Sequence, residues 1–391
     1  MSLPKYNIIV IGTSCFEGMA SSKRIRNLIE PLIQKNQISV RNLIFQSETK
    51  ELFKKEGKID NIDFKVIGYR LINIFSVFGF FYSGFLYIKR NKLSYQKSII
   101  YIYGGPNIQN ILFILYSKSI GFKVICDIVE DNRYEPSANF LTKLKTRSSL
   151  LLLKLSIHYV DSFIAISEHL YYRLLLFSKE KIPVFLIPIS VNLSNFKNKL
   201  NLRDIGDFRI FYGGSFNEKD GLGLLIDAFD EVSKKHKNVR LILTGTGTKP
   251  DMERVRNQIN KAENRDKIIY QGFLNNSDYF ALLNECDIFC MTRINSDHAN
   301  AGFPFKLGEF LASGKAVIAT KVGDVPKYLI NNINALVISP SSVSQLVEAI
   351  LSLIENPDKI ELIGKEGRKT AESHFDSNKV SMKLFSIFQS I

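Results

Sequence analysis

The chain has 391 residues, a net charge of +14, and hydrophobic and charged fractions of 45% and 23%. These values exclude a fibrous or intrinsically disordered polypeptide and leave room for two or three domains. The four cysteines, Cys15, Cys126, Cys286 and Cys290, are too scattered for a disulfide framework and lack zinc spacing, so they read as reduced, mostly buried thiols suited to a cytoplasmic protein.

The positive charge is uneven. Residues 1–190 hold 26 Lys and Arg against 14 Asp and Glu, whereas residues 191–391 hold 26 against 24. A basic first half suits an acidic partner such as anionic lipid or a phosphorylated acceptor. Nucleic acid fits less well, because no helix-turn-helix, zinc-finger or RNA-binding signature is present. No signal peptide is visible, since the first apolar run, 8–11, is short and runs into a glycine loop.

In chain order, residues 7–12 form a β-branched apolar run that predicts a buried strand. It ends at Gly12 and Thr13, and the loop continues through Gly18 and Met19. Residues 23–35 then carry Ile25, Leu28, Ile29, Leu32 and Ile33 at helical spacing, with Lys23, Arg24 and Arg26 among them. Strand, glycine loop and helix open a βαβ unit. Further strands are expected at 40–45, 64–67, 98–103, 123–127, 162–166 and 184–187, with helical or long apolar segments between them. That alternation predicts a parallel sheet covered on both faces.

Residues 71–88 have no charge and many Phe and Tyr, but a membrane span needs about 20 apolar residues. Asn73, Ser76, Gly79, Ser83 and Gly84 interrupt the stretch. A core helix, a helix on a bilayer surface and a span all stay open, although a position between two strands argues against spanning. At the end of the 123–127 strand, Asp127 and Glu130 are candidates to orient a hydroxyl nucleophile, because ligands of open α/β sheets bind beyond the carboxyl ends of strands.

The polar, Asn-rich stretch 189–206 reads as an interdomain linker. A second alternation follows, with strands at 208–212, 240–244, 268–270 and 288–291 and helices at 222–232, 252–262 and 279–284. A last strand ends at Val337, helices run on from Val343, and 379–391 is amphipathic. The expected division is therefore 1–190, 207–378 and a terminal helix, 379–391.

Three loops in this half suit a phosphate. Gly213-Gly214-Ser215-Phe216-Asn217-Glu218-Lys219-Asp220-Gly221 lies between a strand and a helix; its glycines allow close backbone approach and Lys219 adds a point charge. Gly245 belongs to a Gly-Thr-Gly turn after a strand, a weak nucleotide signal alone. The third and richest runs Ala301-Gly302-Phe303-Pro304-Phe305-Lys306-Leu307-Gly308-Glu309 and reads as a loop entering a short helix that Gly314 stops. Pro304 suits the first turn. The helix start would offer free N–H groups to an anion, and Lys306 and Glu309 share a face. Arg293, His298 and Asn300 lie just before it.

The 301–309 stretch resembles the donor-binding motif of family 4 glycosyltransferases, in which Glu, Gly, Phe, Pro, four variable residues and Glu follow in order. Ala301 stands where the first Glu would be. Lys306 stands three before the second Glu, as in one branch of the family. The 213–221 loop resembles the family's Gly-Arg-Leu…Lys-Gly loop, with Ser215 at the Arg position and Lys219 displaced by Asp220; Arg293 and Lys306 are available to replace the missing cation.

The resemblance implies an α/β, GT-B architecture, with two Rossmann-like domains facing a cleft and the last helix crossing back to the first domain. It implies retaining transfer of a sugar from a nucleotide diphosphate-sugar to a hydroxyl, without an essential metal. Glu309 would bind the ribose hydroxyls, and Lys219 and Lys306 would neutralise the departing diphosphate. Gly214, Ser215, Gly245, Arg293, Asn300, Gly302, Phe303 and Pro304 would complete the donor side, and Gly12, Thr13, Gly18, Met19, Lys23 and Arg26 would line the acceptor side. The basic, aromatic first half and family analogy together suggest a lipid-linked oligosaccharide acceptor for surface polysaccharide, met at the inner face of the cytoplasmic membrane. A nucleotide-sugar epimerase or hydrolase of the same fold, an inactive glycan-binding scaffold and a nucleic-acid-binding protein remain as alternatives.

Overall fold

β-Branched runs at regular spacing, separated by amphipathic stretches, fold into two parallel sheets in a computed structural model that describes residues 5–16, 20–48, 55–68, 74–93, 96–131, 140–196 and 207–391. The chain divides into one unit of Met1–Pro188 with Ser377–Ile391 and a second of Ile189–Asp376.

The first unit contains β1 (Tyr6–Ile11), α1 (Ala20–Gln34), β2 (Ile38–Phe45), β3 (Glu56–Ile59), β4 (Ile62–Ile67), α2 (Ile74–Arg90), β5 (Lys97–Tyr103), α3 (Ile111–Ser119), β6 (Lys123–Ile128), α4 (Phe140–Leu155), β7 (Ser162–Ala165), α5 (Glu168–Ser178) and β8 (Val184–Leu186). The strands lie in the order β3-β4-β2-β1-β5-β6-β7-β8. All neighbours run parallel except β3, which pairs antiparallel with β4. β3 is a strand the apolar pattern does not predict, because Glu56, Gly57 and Lys58 are exposed and carry no alternation. Its turn is legible afterwards: Asp60 and Asn61 both take positive φ, 49° and 64°, as a two-residue hairpin requires.

The first sheet is filled by Ile8, Val10, Ile99, Tyr101, Ile125 and Ile164, against Ile25, Leu28 and Leu32 of α1. Gly12, at the end of β1, has φ +97°, and a Cβ there would stand 2.5 Å from the Tyr103 carbonyl oxygen of the neighbouring strand. Only glycine lets the chain leave the sheet at that point.

The uncharged 71–88 stretch becomes α2, with 71–73 outside the described residues. Phe80 and Ile88 are buried, and Phe85 packs 4.6 Å from Tyr116 of α3. Among the described residues no helix is long and apolar enough to cross a membrane.

Asp161, just before β7, ties two elements to the sheet edge. It receives Lys118 of α3 at 2.7 Å, Lys123 of β6 at 3.2 Å and the Val124 N–H at 2.8 Å. Burial pushes its pKa up, but these donors outweigh burial and hold it below the usual carboxylate value. A lowered folded pKa gives stability that is complete above the unfolded value of about 3.9 and is lost as pH falls through the folded one. Asp161→Asn should therefore lower the unfolding free energy measured by urea titration at pH 7 by about 1–2 kcal/mol. The gap to the native protein should close as the pH falls below about 4.

The second unit contains β9 (Phe208–Ser215), α6 (Leu222–Lys235), β10 (Val239–Thr246), α7 (Lys249–Lys261), β11 (Ile268–Tyr270), α8 (Asn276–Glu285), β12 (Ile288–Met291), α9 (Asp297–Ala301), α10 (Phe305–Ala312), β13 (Ala316–Thr320), α11 (Val325–Tyr328), β14 (Leu336–Ile338), α12 (Val343–Ile354) and α13 (Pro357–His374). Its strands lie β11-β10-β9-β12-β13-β14, all parallel. Its core joins Ile210, Leu241, Ile288 and Ile318 of the sheet to Leu225, Phe229, Leu346 and Ile350 of the covering helices.

The expected linker is only partly a linker. Residues 197–206 lie outside the described set, but Val191 N–H donates to Phe375 O at 2.8 Å. Ile189 and Val191 also pack beside Gly308, which places this end of the stretch in the second unit. The last helix, α14 (Ser377–Ser390), belongs to the first unit, where Val380, Leu384 and Phe388 join the α1 side of its core.

Candidate active site

In the second sheet β9 and β12 are neighbours, yet the chain leaves β9 toward β10 and β12 toward β13. The carboxyl ends of two such strands bound a crevice, because their loops diverge to opposite sides. The 213–221 and 292–302 loops both start there and are tied together. The Thr292 hydroxyl donates to the Gly221 carbonyl at 3.0 Å, and Ile294 N–H donates to the Lys219 carbonyl at 3.1 Å.

Lys219 sits on a single 3₁₀ turn whose start is capped by Asn217. Its Nζ lies 3.1 Å from Nε2 of His298, on α9. Arg293 was expected to substitute for a missing cation, but its Nε meets Asp220 Oδ1 at 3.1 Å, with both side chains largely buried. Its charge is balanced within the loop. Asn300 acts as a brace, donating to Asn295 Oδ1 at 2.7 Å and accepting Gly323 N–H at 3.0 Å.

Gly214 and Ser215 end β9 and pair with Gly245 and Thr246 of β10. Gly245 takes φ +132°, and a Cβ on it would come within 1.8 Å of the Gly214 oxygen. The Gly-Thr-Gly turn thus keeps two backbones close at the sheet edge. The Ser215 hydroxyl accepts Asn217 N–H at 3.0 Å, fixing the turn that carries Lys219.

The helix start differs from expectation in one respect. A separate short helix, α9, precedes it, capped by the Ser296 hydroxyl on Ala299 N–H. Gly302 ends α9, and Pro304 is the N-cap of α10 rather than a residue of its first turn. Pro304 offers no side-chain acceptor, and the first turn of α10 has no side-chain cap. The start of such a helix carries the positive end of its dipole, which favours negative charge. The Phe303 ring turns into an aromatic cluster with Tyr328 and Phe375, at 5.4 and 5.8 Å, so only its backbone is available to a ligand. Ala301 is fully buried.

One turn into α10, Glu309 is 8% exposed. The Tyr279 hydroxyl of α8 donates to its Oε2 at 2.9 Å, and Lys306 Nζ lies 3.1 Å from the same oxygen. Lys306 also sits over the Tyr279 ring, 3.8 Å from its centroid, a cation–π arrangement. Burial, reinforced by the Glu309 carboxyl, pushes the Tyr279 pKa far above its ordinary value, so the phenol stays a donor. The sequence did not single out Tyr279: thirty positions before Glu309, it looks like any apolar-face aromatic.

The expected acceptor-side residues of the first unit fall into different roles. Gly18 and Met19 lie outside the described residues. Thr13 is buried and, with Val10, supplies a carbonyl to the Asn42 side-chain amide. Lys23 is half-buried and Glu130 is exposed. Arg26 is taken up by Glu30 and by Asp60 of the β3–β4 hairpin, the latter at 2.9 Å. Asp127 requires a correction. It is fully enclosed and holds Arg24 through two bonds of 2.7 and 2.8 Å, while Tyr101 donates to it at 2.7 Å. A carboxylate so engaged is a structural counter-ion, with no route to a substrate hydroxyl. Arg24, between Lys23 and Arg26 on α1, is buried with it.

Two Rossmann-like α/β units, the second with its polar loops at a switch point, make up the architecture of GT-B glycosyltransferases. Sucrose-phosphate synthase from Thermosynechococcus elongatus superimposes with a TM-score of 0.76 at 15% identity, covering 98% of each chain. A structure of Anabaena HepE in complex with UDP and glucose also gives 0.76 at 15%, covering 98% of this chain and 99% of that one. At such identities the likeness is one of fold. Residues 195–370 match the sequence model of the family described as Glycosyl transferases group 1. An uncharacterized glycosyltransferase of Methanocaldococcus jannaschii is 24% identical over 194 residues, 50% of this chain and 46% of that protein. The phosphatidyl-myo-inositol mannosyltransferase of Mycobacterium leprae is 21% identical over 208 residues, 52% and 53% of the two chains. These alignments span about half the length of the curated relatives.

Proposed function

We propose that the chain transfers a sugar from a nucleotide diphosphate-sugar to a hydroxyl of a lipid-linked glycan, in surface-polysaccharide synthesis at the inner face of the cytoplasmic membrane. The observation that carries the reading is the uncapped start of α10 followed by Lys306 and by Glu309, held through Tyr279. Glu309 accepts the ribose hydroxyls. The α10 amides, Lys306 and Lys219 face the diphosphate, so the negative charge that develops as it leaves is met by groups already in place. The sugar's anomeric C–O bond to the diphosphate breaks, the acceptor oxygen bonds to that carbon from the same side, and the acceptor proton passes to the departing phosphate oxygen. His298, beside Lys219, fixes the position of that ammonium.

A thermal-shift panel of nucleotide sugars tests this. UDP-sugars head the panel, since Anabaena HepE was solved with UDP-glucose. At least one donor at 100 times its Kd should stabilise the protein by about 2.7 kcal/mol. A panel in which no nucleotide sugar shifts the melting point would contradict the reading. Release of free sugar or of an epimer from donor alone would replace transfer with hydrolysis or epimerisation.

A further inference from the structure

Most of the large apolar side chains exposed among the described residues lie between Phe75 and Leu176. All of these but Ile108 fall on α2, α3, α4 and α5, one layer of the first unit. The β4-to-β5, β5-to-β6, β6-to-β7 and β7-to-β8 connections all step the same way along the sheet, and the β1-to-β2 connection steps the other way. Right-handed crossovers then put α2, α3, α4 and α5 on one face and α1 on the opposite face, where α14 covers it. Among the described residues of the first unit, no helix covers the α2–α5 layer as α14 covers α1.

Within that layer the exposure is organised. Phe75, Phe78 and Tyr82 of α2 are 80%, 69% and 66% exposed and recur at i, i+3 and i+7, one helix face. Leu144, Leu151 and Leu155 of α4, at 53%, 57% and 46%, recur at i, i+7 and i+11, again one face. Scattered apolar residues need no explanation, but two aligned stripes on one layer do. The charge on three of the four helices has one sign, while α5 adds Glu168 and Arg173. α2, α3 and α4 hold seven Lys and Arg and no Asp or Glu. Lys118 is spent on Asp161, while Lys89 and Arg90 close α2 and Lys143, Arg147 and Lys154 are exposed along α4.

We propose that the α2–α5 layer docks on an anionic lipid bilayer, with the α2 aromatic stripe and the α4 leucine stripe entering the headgroup boundary and the flanking cations meeting lipid phosphates. The inference deepens the membrane part of the proposed function by naming the surface. Apolar stripes edged by Lys and Arg, on helices too short to span, are the pattern of interfacial helices. A protein partner would be expected to present acidic groups and to leave binding indifferent to lipid.

The test is flotation of the full chain with vesicles of phosphatidylcholine alone or mixed with phosphatidylglycerol. The native protein should float with the mixed vesicles, less so at high salt. The triple changes Phe75→Ser/Phe78→Ser/Tyr82→Ser and Leu144→Ser/Leu151→Ser/Leu155→Ser should each weaken binding about tenfold or more. Lys89→Glu/Arg90→Glu should weaken the preference for phosphatidylglycerol, and Met382→Ser, on α14, should change nothing. Each variant's donor-induced thermal shift should stay native, which confirms the fold and keeps failure here distinct from failure of the sugar-transfer reading. Native binding by both triple variants, equal binding to the two vesicle types, or no flotation of the native protein would overturn the proposal.

Discussion

Glu309→Ala should lower affinity for the nucleotide donor about tenfold to a hundredfold while the protein stays folded. The first part follows from what a carboxylate does when it accepts ribose hydroxyls, since hydrogen bonds to a charged group contribute roughly 1.5–3 kcal/mol. The second follows from its surroundings. Glu309 stabilises one buried partner, Tyr279, and one half-exposed partner, Lys306. Leaving the phenol unsatisfied costs about 1–3 kcal/mol, which a domain of ordinary stability withstands. The sharper form of the prediction uses two ligands. The native protein should discriminate a ribonucleotide from its deoxyribose analogue, and Glu309→Ala should bind the two alike. Calorimetry that finds the discrimination unchanged would remove Glu309 from the ribose.

The largest effect on stability is expected at Arg24. Its guanidinium meets Asp127 through two bonds and donates to the Pro188 and Ile187 carbonyls at 3.0 and 3.1 Å, with nothing exposed. Burial alone would lower its pKa, yet the Asp127 carboxylate more than reverses this and raises it. Removing one partner strands the other as an uncompensated charge in the core, at a cost of about 3–5 kcal/mol. Arg24→Ala should therefore melt the first unit roughly 10 °C or more below the native protein. Arg24→Met combined with Asp127→Leu and Tyr101→Phe should recover much of the loss, because the pair's desolvation cost disappears and the phenol that donates to Asp127 is not left unsatisfied. A native melting point for Arg24→Ala would mean that the ion pair does not hold α1 to the ends of β6 and β8.

What the sequence disclosed tracks how locally each feature is encoded. Runs such as residues 7–12 and 288–291 are apolar on both faces because parallel strands are covered on both sides, so their strands stand out. β3 does not, because an exposed edge strand needs no apolar alternation. The 301–309 stretch was readable as a loop and helix start because Gly302, Pro304 and Glu309 are close in sequence. Its supports were not readable. Tyr279 approaches Glu309 only once α8 and α10 are placed, and the balancing of Arg293 by Asp220 joins residues 73 positions apart. Asp127 misled for the same reason. A carboxylate at a strand's carboxyl end looks available until Arg24, 103 positions earlier, is found against it.

In the proposed reaction the second unit holds a nucleoside diphosphate through Lys219, Lys306 and the amides that open α10. The most direct measurement is calorimetric titration of the full chain with the nucleoside diphosphate of its best donor, at low and high salt, for the native protein, Lys219→Ala and Lys306→Ala. Binding should be saturable and one-to-one, should weaken with salt and should fall about tenfold or more in each variant. Equal affinity in all three proteins would place the diphosphate elsewhere and contradict the proposal.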